Sequence, residues 1–154
     1  DRLGRRFHVK VGAPQNRPAR TRALPFPAVS MIRWPAYNEE LVKVCASAAI
    51  VLGVNTVNNV HQYFSNRTFL TLACGGFHLT HYVPGLEDLF TNHRHLVWFQ
   101  SDEECADLCA YYLARPTARR RIAREGRRLV RQRWSMARQV STLLAHVEAA
   151  SGRA

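Results

Sequence analysis

Lysine is nearly missing from this sequence. Only Lys10 and Lys43 are present, yet 22 basic residues stand against 11 acidic ones, a formal net charge of +11. The positive charge is therefore arginine. Two origins fit: a surface that attracts polyanions at long range, or a GC-rich genome that writes Arg where others write Lys. Long apolar runs are missing too. No uninterrupted stretch of about 18 apolar residues occurs, which excludes a membrane-crossing helix. Asp1 to Arg6 are charged and lead straight into a strand-like run, so they form no signal peptide. A starting Met is absent, and the chain is expected to be a piece of something longer.

Cysteine is sparse. Cys45, Cys74, Cys105 and Cys109 form no C-x-x-C pair, and no second pair stands at zinc-finger spacing. Cys105 and Cys109 lie four apart and share a helix face. A two-thiolate metal corner and a pair of buried thiols in a reducing cytoplasm both fit, and the second is the expectation. No metal site is predicted, and no Ser-His-Asp set is visible at a readable spacing. Asn66-Arg67-Thr68 fits the N-glycosylation pattern; without a secretory leader it reads as coincidence.

What is present is an ordinary globular composition, 47% hydrophobic and 21% charged, at a length that suits one domain with a real core. Residues 6–12 and 29–33 read as short strands separated by a proline- and arginine-rich loop over 13–27. Residues 37–47 carry apolar side chains at helical spacing. Residues 48–54 are a continuous apolar run, expected as a strand buried on both faces of a parallel sheet. After a polar loop over 55–64, Ser65 is placed to cap a helix over 66–74, which Gly75-Gly76 close. Strands are predicted over 77–82 and 95–100, with a short helix over 84–90 between them. Ser101 and Glu104 form a capping box for a helix to Arg115. Pro116 opens the next helix, with Ile122, Gly126, Val130 and Trp134 inward. Ser135 caps the last, with Val140, Leu143, Leu144 and Val147 inward.

Strands alternating with helices give the fold class: α/β, a Rossmann-like, open, mostly parallel sheet with helices on both faces and further helices at the C-terminus. Residues 1–36 supply a first strand and loop, and residues 37–150 the main body of a single domain. The run from Arg115 to Arg138 holds ten arginines. Aromatic stacking partners are not interleaved there, which favours a solvated face over a nucleic-acid groove. Its outer positions are poor in Trp, which favours water over an anionic lipid surface.

Ligands of such sheets sit at the carboxyl ends of the strands, near a helix N-terminus. Asn55 ends the most apolar strand. Ser65, Asn66, Arg67 and Thr68 open a helix whose unpaired N–H groups and dipole suit an anion. Arg67 adds a bidentate contact for phosphate.

Residues 65–90 and 95–134 resemble the C-terminal domain of group 1 glycosyltransferases, in the branch of spore-maturation glycosyltransferase-like proteins. The landmarks fall in order: Asn-Arg, then Ala73-Cys74-Gly75, a strand, Pro84-Gly85 with an acidic segment, a strand, a capped helix with Tyr-Tyr-Leu, and Ile122-Ala123-x-x-Gly126. The likeness runs from about Tyr37 to Val147. It implies one half of a two-domain GT-B fold in a cytoplasmic bacterial enzyme. The absent N-terminal half would bind the acceptor; this half would bind a nucleotide diphosphate-sugar as donor substrate, with no metal and no other cofactor. By position, Asn66, Arg67 and Thr68 would lie at the donor's diphosphate and sugar. Asn55 and Tyr63, with Ser65, would line the same cleft, and Gly12 and Ile32 would approach the base through backbone. Positive charge and the helix dipole would stabilise the departing nucleotide diphosphate.

One departure matters. The family carries Glu directly after the Phe of its Thr-Phe-Glu, where the carboxylate accepts hydrogen bonds from the donor ribose. Here that position is Leu70. A second acidic position of the wider superfamily, eight residues earlier, is Gln62. Among the histidines His78, His81, His93 and His95, His81 is best placed for acid–base work, at the end of a strand facing the cleft. Three readings stay open: a donor-binding glycosyltransferase domain, a degenerate and catalytically inactive binding module, and a basic polyanion-binding protein.

Overall fold

The computed structural model describes residues 7–14, 29–34 and 39–152. Strands β1 (Val9–Pro14) and β2 (Val29–Trp34) pair in parallel, with Gly12 opposite Ile32. Helix α1 (Glu39–Ser47) follows. Strands β3 (Val51–Gly53), β4 (His78–His81) and β5 (Val97–Phe99) form a second parallel ladder in that order. Helix α2 (Arg67–Ala73) lies between β3 and β4 in the chain. Helices α3 (Asp102–Leu113), α4 (Pro116–Arg133) and α5 (Met136–Ser151) follow β5. All strand pairs among the described residues are parallel, as the α/β reading required. Ala13 and Pro14 extend β1; the rest of the loop predicted over 13–27 lies outside the described residues.

Alternation along the strands divides the core into two layers. Phe77, Leu79, Val97 and Phe99 point to one face, where Cys105, Cys109 and Tyr112 of α3 and Ile122 and Ala123 of α4 cover them. Leu96 and Trp98 point to the other, where they join Leu72 of α2, Leu86, Phe90 and Val130. A period of two in the strands thus meets two helical stripes, one on each side. Burial of this kind contributes about 1.5–3 kcal/mol for each large apolar side chain.

The helix ends follow their sequence signals. Ser65 Oγ accepts the Arg67 N–H (3.3 Å) at the start of α2. Gly75, at φ +83°, closes that helix, with the Gly75 N–H donating to the Leu72 carbonyl and the Gly76 N–H to the Thr71 carbonyl. This is the glycine-dependent left-handed termination the Gly-Gly pair predicts. Ser101 Oγ caps α3 through the Glu104 N–H (3.2 Å). The return arm of the box differs from expectation: Glu104 Oε2 accepts from Gln100, one residue outside the cap (2.7 Å).

Three expectations are corrected. Residues 84–90 form successive turns rather than a helix, because Gly85 takes φ +84°, a left-handed conformation that interrupts helical propagation. The apolar run of residues 48–54 gives only a three-residue strand, with Leu52 41% and Val54 61% exposed. β3 is the edge strand of its ladder, so one flank lacks the covering a central strand receives. The last helix buries none of its residues: Val140, Leu143, Leu144 and Val147 all face outward, and Met136 is 77% exposed. A stripe at helical spacing signals a face that wants cover and does not say what covers it.

The tightest packing is at Gly126. A Cβ placed there would run into the His95 carbonyl oxygen and lie 2.8 Å from Leu72 Cδ2. Only glycine lets α4 approach the backbone before β5 this closely. Gly126→Ala is expected to cost at least about 1–3 kcal/mol, seen as a lower midpoint in urea denaturation. Gly152→Ala, whose nearest neighbour would be at an ordinary 3.5 Å, serves as the control and should leave the midpoint unchanged.

Candidate functional site

The loop after β3 and the start of α2 are tied to each other by one side chain. Asn55 Oδ1 accepts the Ser65 N–H (3.2 Å), and Asn55 Nδ2 donates to Asn58 Oδ1 (3.4 Å). This clasp sets the N-terminus of α2 at the carboxyl edge of β3. Ser65 Oγ also accepts from Arg67 Nε (3.0 Å), which orients the guanidinium at that end. Asn66, Arg67 and Tyr63 are exposed there. The structure therefore brings Asn55, Tyr63, Ser65, Asn66 and Arg67 to one edge.

Thr68 is placed differently. It is buried, and its hydroxyl meets His78 Nε2 at 3.2 Å. Beneath the site, then, α2 is fastened to β4 by a polar contact inside the fold. Gly53 completes this contact: a Cβ there would fall 2.7–2.8 Å from the His78 ring and the Thr80 hydroxyl. His78 Nδ1 has no hydrogen-bond partner. Burial pushes His78 down to about 4, partly offset by the Val51 backbone, with the least effect, a further lowering, from the Arg67 charge.

The turn segment after β4 packs against the loop that leads into α2. The Gln62 N–H donates to the Pro84 carbonyl (2.7 Å), and Gln62 Nε2 donates to Asp88 Oδ2 (3.3 Å). His61 Nε2 lies 3.8 Å from the same carboxylate. Gly85 packs so closely that a Cβ would collide with the His61 ring. Glu87 accepts from the Tyr82 hydroxyl (2.9 Å); its own backbone N–H first, and then this hydroxyl, hold its carboxyl below the usual range. The exposed pair Glu87 and Asp88 was not singled out in the sequence. Asp88 meets Gln62 across 26 residues, a distance no local pattern reports.

His81 closes β4 and is half-buried, edge-on to Phe99 with ring centroids 5.3 Å apart. Its Nδ1 lies 2.8 Å from the Tyr82 carbonyl. A carbonyl can only accept, so Nδ1 carries the proton and Nε2 is the basic nitrogen. The other histidines have structural partners. His93 Nδ1 meets the Tyr112 hydroxyl (2.7 Å), and His95 Nδ1 accepts the Thr91 N–H (2.9 Å). Leu70 is 44% exposed on α2. Cys45, Cys105 and Cys109 are buried and none of the four cysteines forms a disulfide; contact with Cys109, and then burial, pushes the Cys105 thiol up. Among the described residues no cluster of three metal-ligating side chains occurs, and no helix is long and apolar enough to cross a membrane.

A parallel α/β core with a capped helix at its carboxyl edge is the geometry in which families of this class bind ligands, and a family profile described as glycosyl transferase-like matches residues 2–145. The chain belongs to that family. No curated protein matches it significantly. Among solved structures, Anabaena HepE in complex with UDP and glucose superposes with a TM-score of 0.64 at 14% identity, covering 77% of this chain and 32% of that one. Sucrose-phosphate synthase from Thermosynechococcus elongatus gives 0.60 at 20% identity, covering 80% and 31%. The C-terminal domain of a group 1 family glycosyl transferase, LpcC from Francisella tularensis, gives 0.56 at 15% identity, covering 71% and 55%. The glycosyl transferase-like chain thus has the fold of GT-B enzymes and spans about a third of the first two.

The buried histidine gives a pH signature. Its folded value of about 4 lies below the unfolded 6.5, so the unfolded chain binds more protons between the two. Stability is full above pH 6.5 and falls as the pH drops toward 4. Between about pH 7.5 and 5 the loss from this one group is roughly 2 kcal/mol. Urea unfolding of wild type and His78→Gln at both pH values checks it. The variant should lose that much of the pH dependence, and equal slopes would refute the assignment.

Proposed function

We propose that this chain is the donor-binding domain of a glycosyltransferase related to the spore-maturation branch. It holds a nucleotide diphosphate-sugar at the N-terminus of α2 and transfers the sugar once joined to an N-terminal half that carries the acceptor. The observation that carries this reading is the Asn55–Ser65 clasp, which leaves Asn66 and Arg67 facing outward at the carboxyl edge of β3. Family membership supports the reaction class, and Anabaena HepE, crystallised with UDP-glucose, supports the ligand class.

Arg67 and the positive end of the α2 dipole receive the diphosphate, and the same charge stabilises the nucleotide diphosphate as it leaves. Asn55 acts through Ser65 rather than on the ligand. Thr68 positions the helix from below and has no surface to offer. Tyr63 offers an aromatic face to the donor. His81 Nε2 is the candidate proton acceptor. The uncovered apolar stripe of α5 supports a partner half, since exposed apolar stripes of this extent mark contact surfaces. A cytoplasmic setting accords with four free thiols.

Leu70 favours a second reading, a glycosyltransferase-like binding module that has lost catalysis. Leucine accepts no hydrogen bond from a ribose hydroxyl, and the amide of Gln62 is directed to Asp88.

Thermal unfolding with UDP, GDP, TDP and their sugars separates the two. On the first reading one nucleotide raises the melting temperature by a few degrees, and Arg67→Ala weakens it about tenfold or more. On the second, wild type shows no shift and Leu70→Glu creates one. No shift with any nucleotide, for either protein or for this domain joined to its N-terminal half, would sink the donor-binding proposal.

A further inference from the structure

A second concentration of positive charge lies at the other end of α2. Thr117, Arg120, Ala123, Arg124 and Arg127 of α4 line, together with Gly75, an open cavity of about 340 Å³. Positions 120, 124 and 127 fall on one face of a helix, and all three arginine side chains line the same space. Arg127 reaches over the turn that ends α2: a side chain at Gly75 would lie 3.5 Å from its Cδ and 3.9 Å from its Nη1.

These three arginines lack the partners their neighbours have. Arg128 pairs with Glu125 (2.8 Å). Arg119 donates to the Tyr112 and Leu113 carbonyls. Arg115 lies over the Tyr111 ring, 3.8 Å from its centroid, and donates to the Tyr111 carbonyl. Among the described residues no carboxylate forms an ion pair with Arg120, Arg124 or Arg127. Carbonyls that terminate α2 are already engaged, Leu70 by the Cys74 N–H, Leu72 by Gly75 and Thr71 by Gly76. Like charges at this spacing repel one another. A concave surface focuses their field and concentrates anions. Guanidinium groups also match phosphate geometry bidentately.

We infer that this cavity binds a phosphate-bearing ligand with at least two negative charges, at a site separate from the N-terminus of α2. α2 has seven residues, so the two ends stand about 10 Å apart along its axis. The ligand is either a free phosphate compound or the headgroup of an anionic lipid. The inference does not rest on the donor-binding reading, since it uses neither Arg67 nor any nucleotide.

The test uses the full chain in an Arg67→Ala background, which removes phosphate binding at the other end of α2. Two probes are compared: inorganic pyrophosphate by calorimetry, and sedimentation with vesicles of equal parts phosphatidylglycerol and phosphatidylcholine against phosphatidylcholine alone. Binding of at least one probe is expected, weakening with salt and falling about a hundredfold in Arg120→Ala/Arg124→Ala/Arg127→Ala. The corresponding triple Lys variant keeps the charge and should bind at an intermediate level. Pyrophosphate binding without vesicle retention assigns a soluble phosphate; retention only on anionic vesicles assigns a lipid headgroup. The inference is overturned if neither probe binds, if the triple Ala variant binds as its parent does, or if Arg67→Ala alone abolishes binding. It is also overturned if duplex DNA is retained while both probes are ignored, which would mean a diffuse polyanion surface. UDP-induced stabilisation of the triple variant in an otherwise wild-type chain reads the donor site independently.

Discussion

Four aromatic rings hold the edge at the start of α2 in place. Phe64 comes from the loop after β3, Phe69 from α2, Phe90 from the turns after β4, and Trp134 from the end of α4. Their ring centroids lie 5.5–6.4 Å apart in tilted and edge-on arrangements. Such pairs add about 0.5–1.5 kcal/mol each beyond the area they bury. They join four segments that no sheet hydrogen bond connects. The exposed polar residues Tyr63, Asn66 and Arg67 are neighbours in sequence of the rings beneath them. Loops carry function when a rigid base positions them, and here the base is aromatic.

The second constraint is backbone proximity. Gly126 allows α4 to press on the His95 carbonyl, and Gly53 allows β3 to lie against His78 and Thr80. Both glycines act through what their missing Cβ permits. Together they bring α4 against the segment before β5 and β3 against β4. His78 is the consequence. A buried imidazole with one partner and one unsatisfied nitrogen must stay neutral at physiological pH. It links the start of α2 to the first residue of β4 without a charge in the core.

Much of the fold was legible because the relevant signals are local. Ser65, Ser101, Ser135 and Pro116 mark helix starts through the hydrogen bonds and dihedral angles they supply, and Gly75-Gly76 marks an end. The inner stripe of α4 was readable from its spacing, with Ile122, Gly126 and Val130 all buried. What local pattern did not contain was cover. Residues 48–54 and the stripe of α5 are apolar enough to be buried, but burial depends on what packs against them. Of the candidate site, the cluster from Ser65 to Thr68 was visible as a helix start at a strand's edge. The inward direction of Thr68, the contact of Asp88 with Gln62, and the separate arginine cavity all depend on packing between segments far apart in sequence.

On the donor-binding proposal, the composition of this edge separates two tasks that one site usually combines. Phosphate recognition needs positive charge, which Arg67 supplies, while the Arg67 and Thr68 N–H groups are already taken by Ser65. Recognition of a ribose needs an acceptor, and Leu70, exposed on α2, offers none. A carboxylate in the first turn of α2 would also have gained from the helix dipole and from Arg67. On the same proposal, leucine there offers neither that electrostatic contact nor a hydrogen bond to a ribose. On the turns after β4, Asp88 is in contact with Gln62 and Glu87 with Tyr82. On the donor-binding proposal, positive charge for a diphosphate comes from α2, while the exposed acid at this edge belongs to the turns after β4.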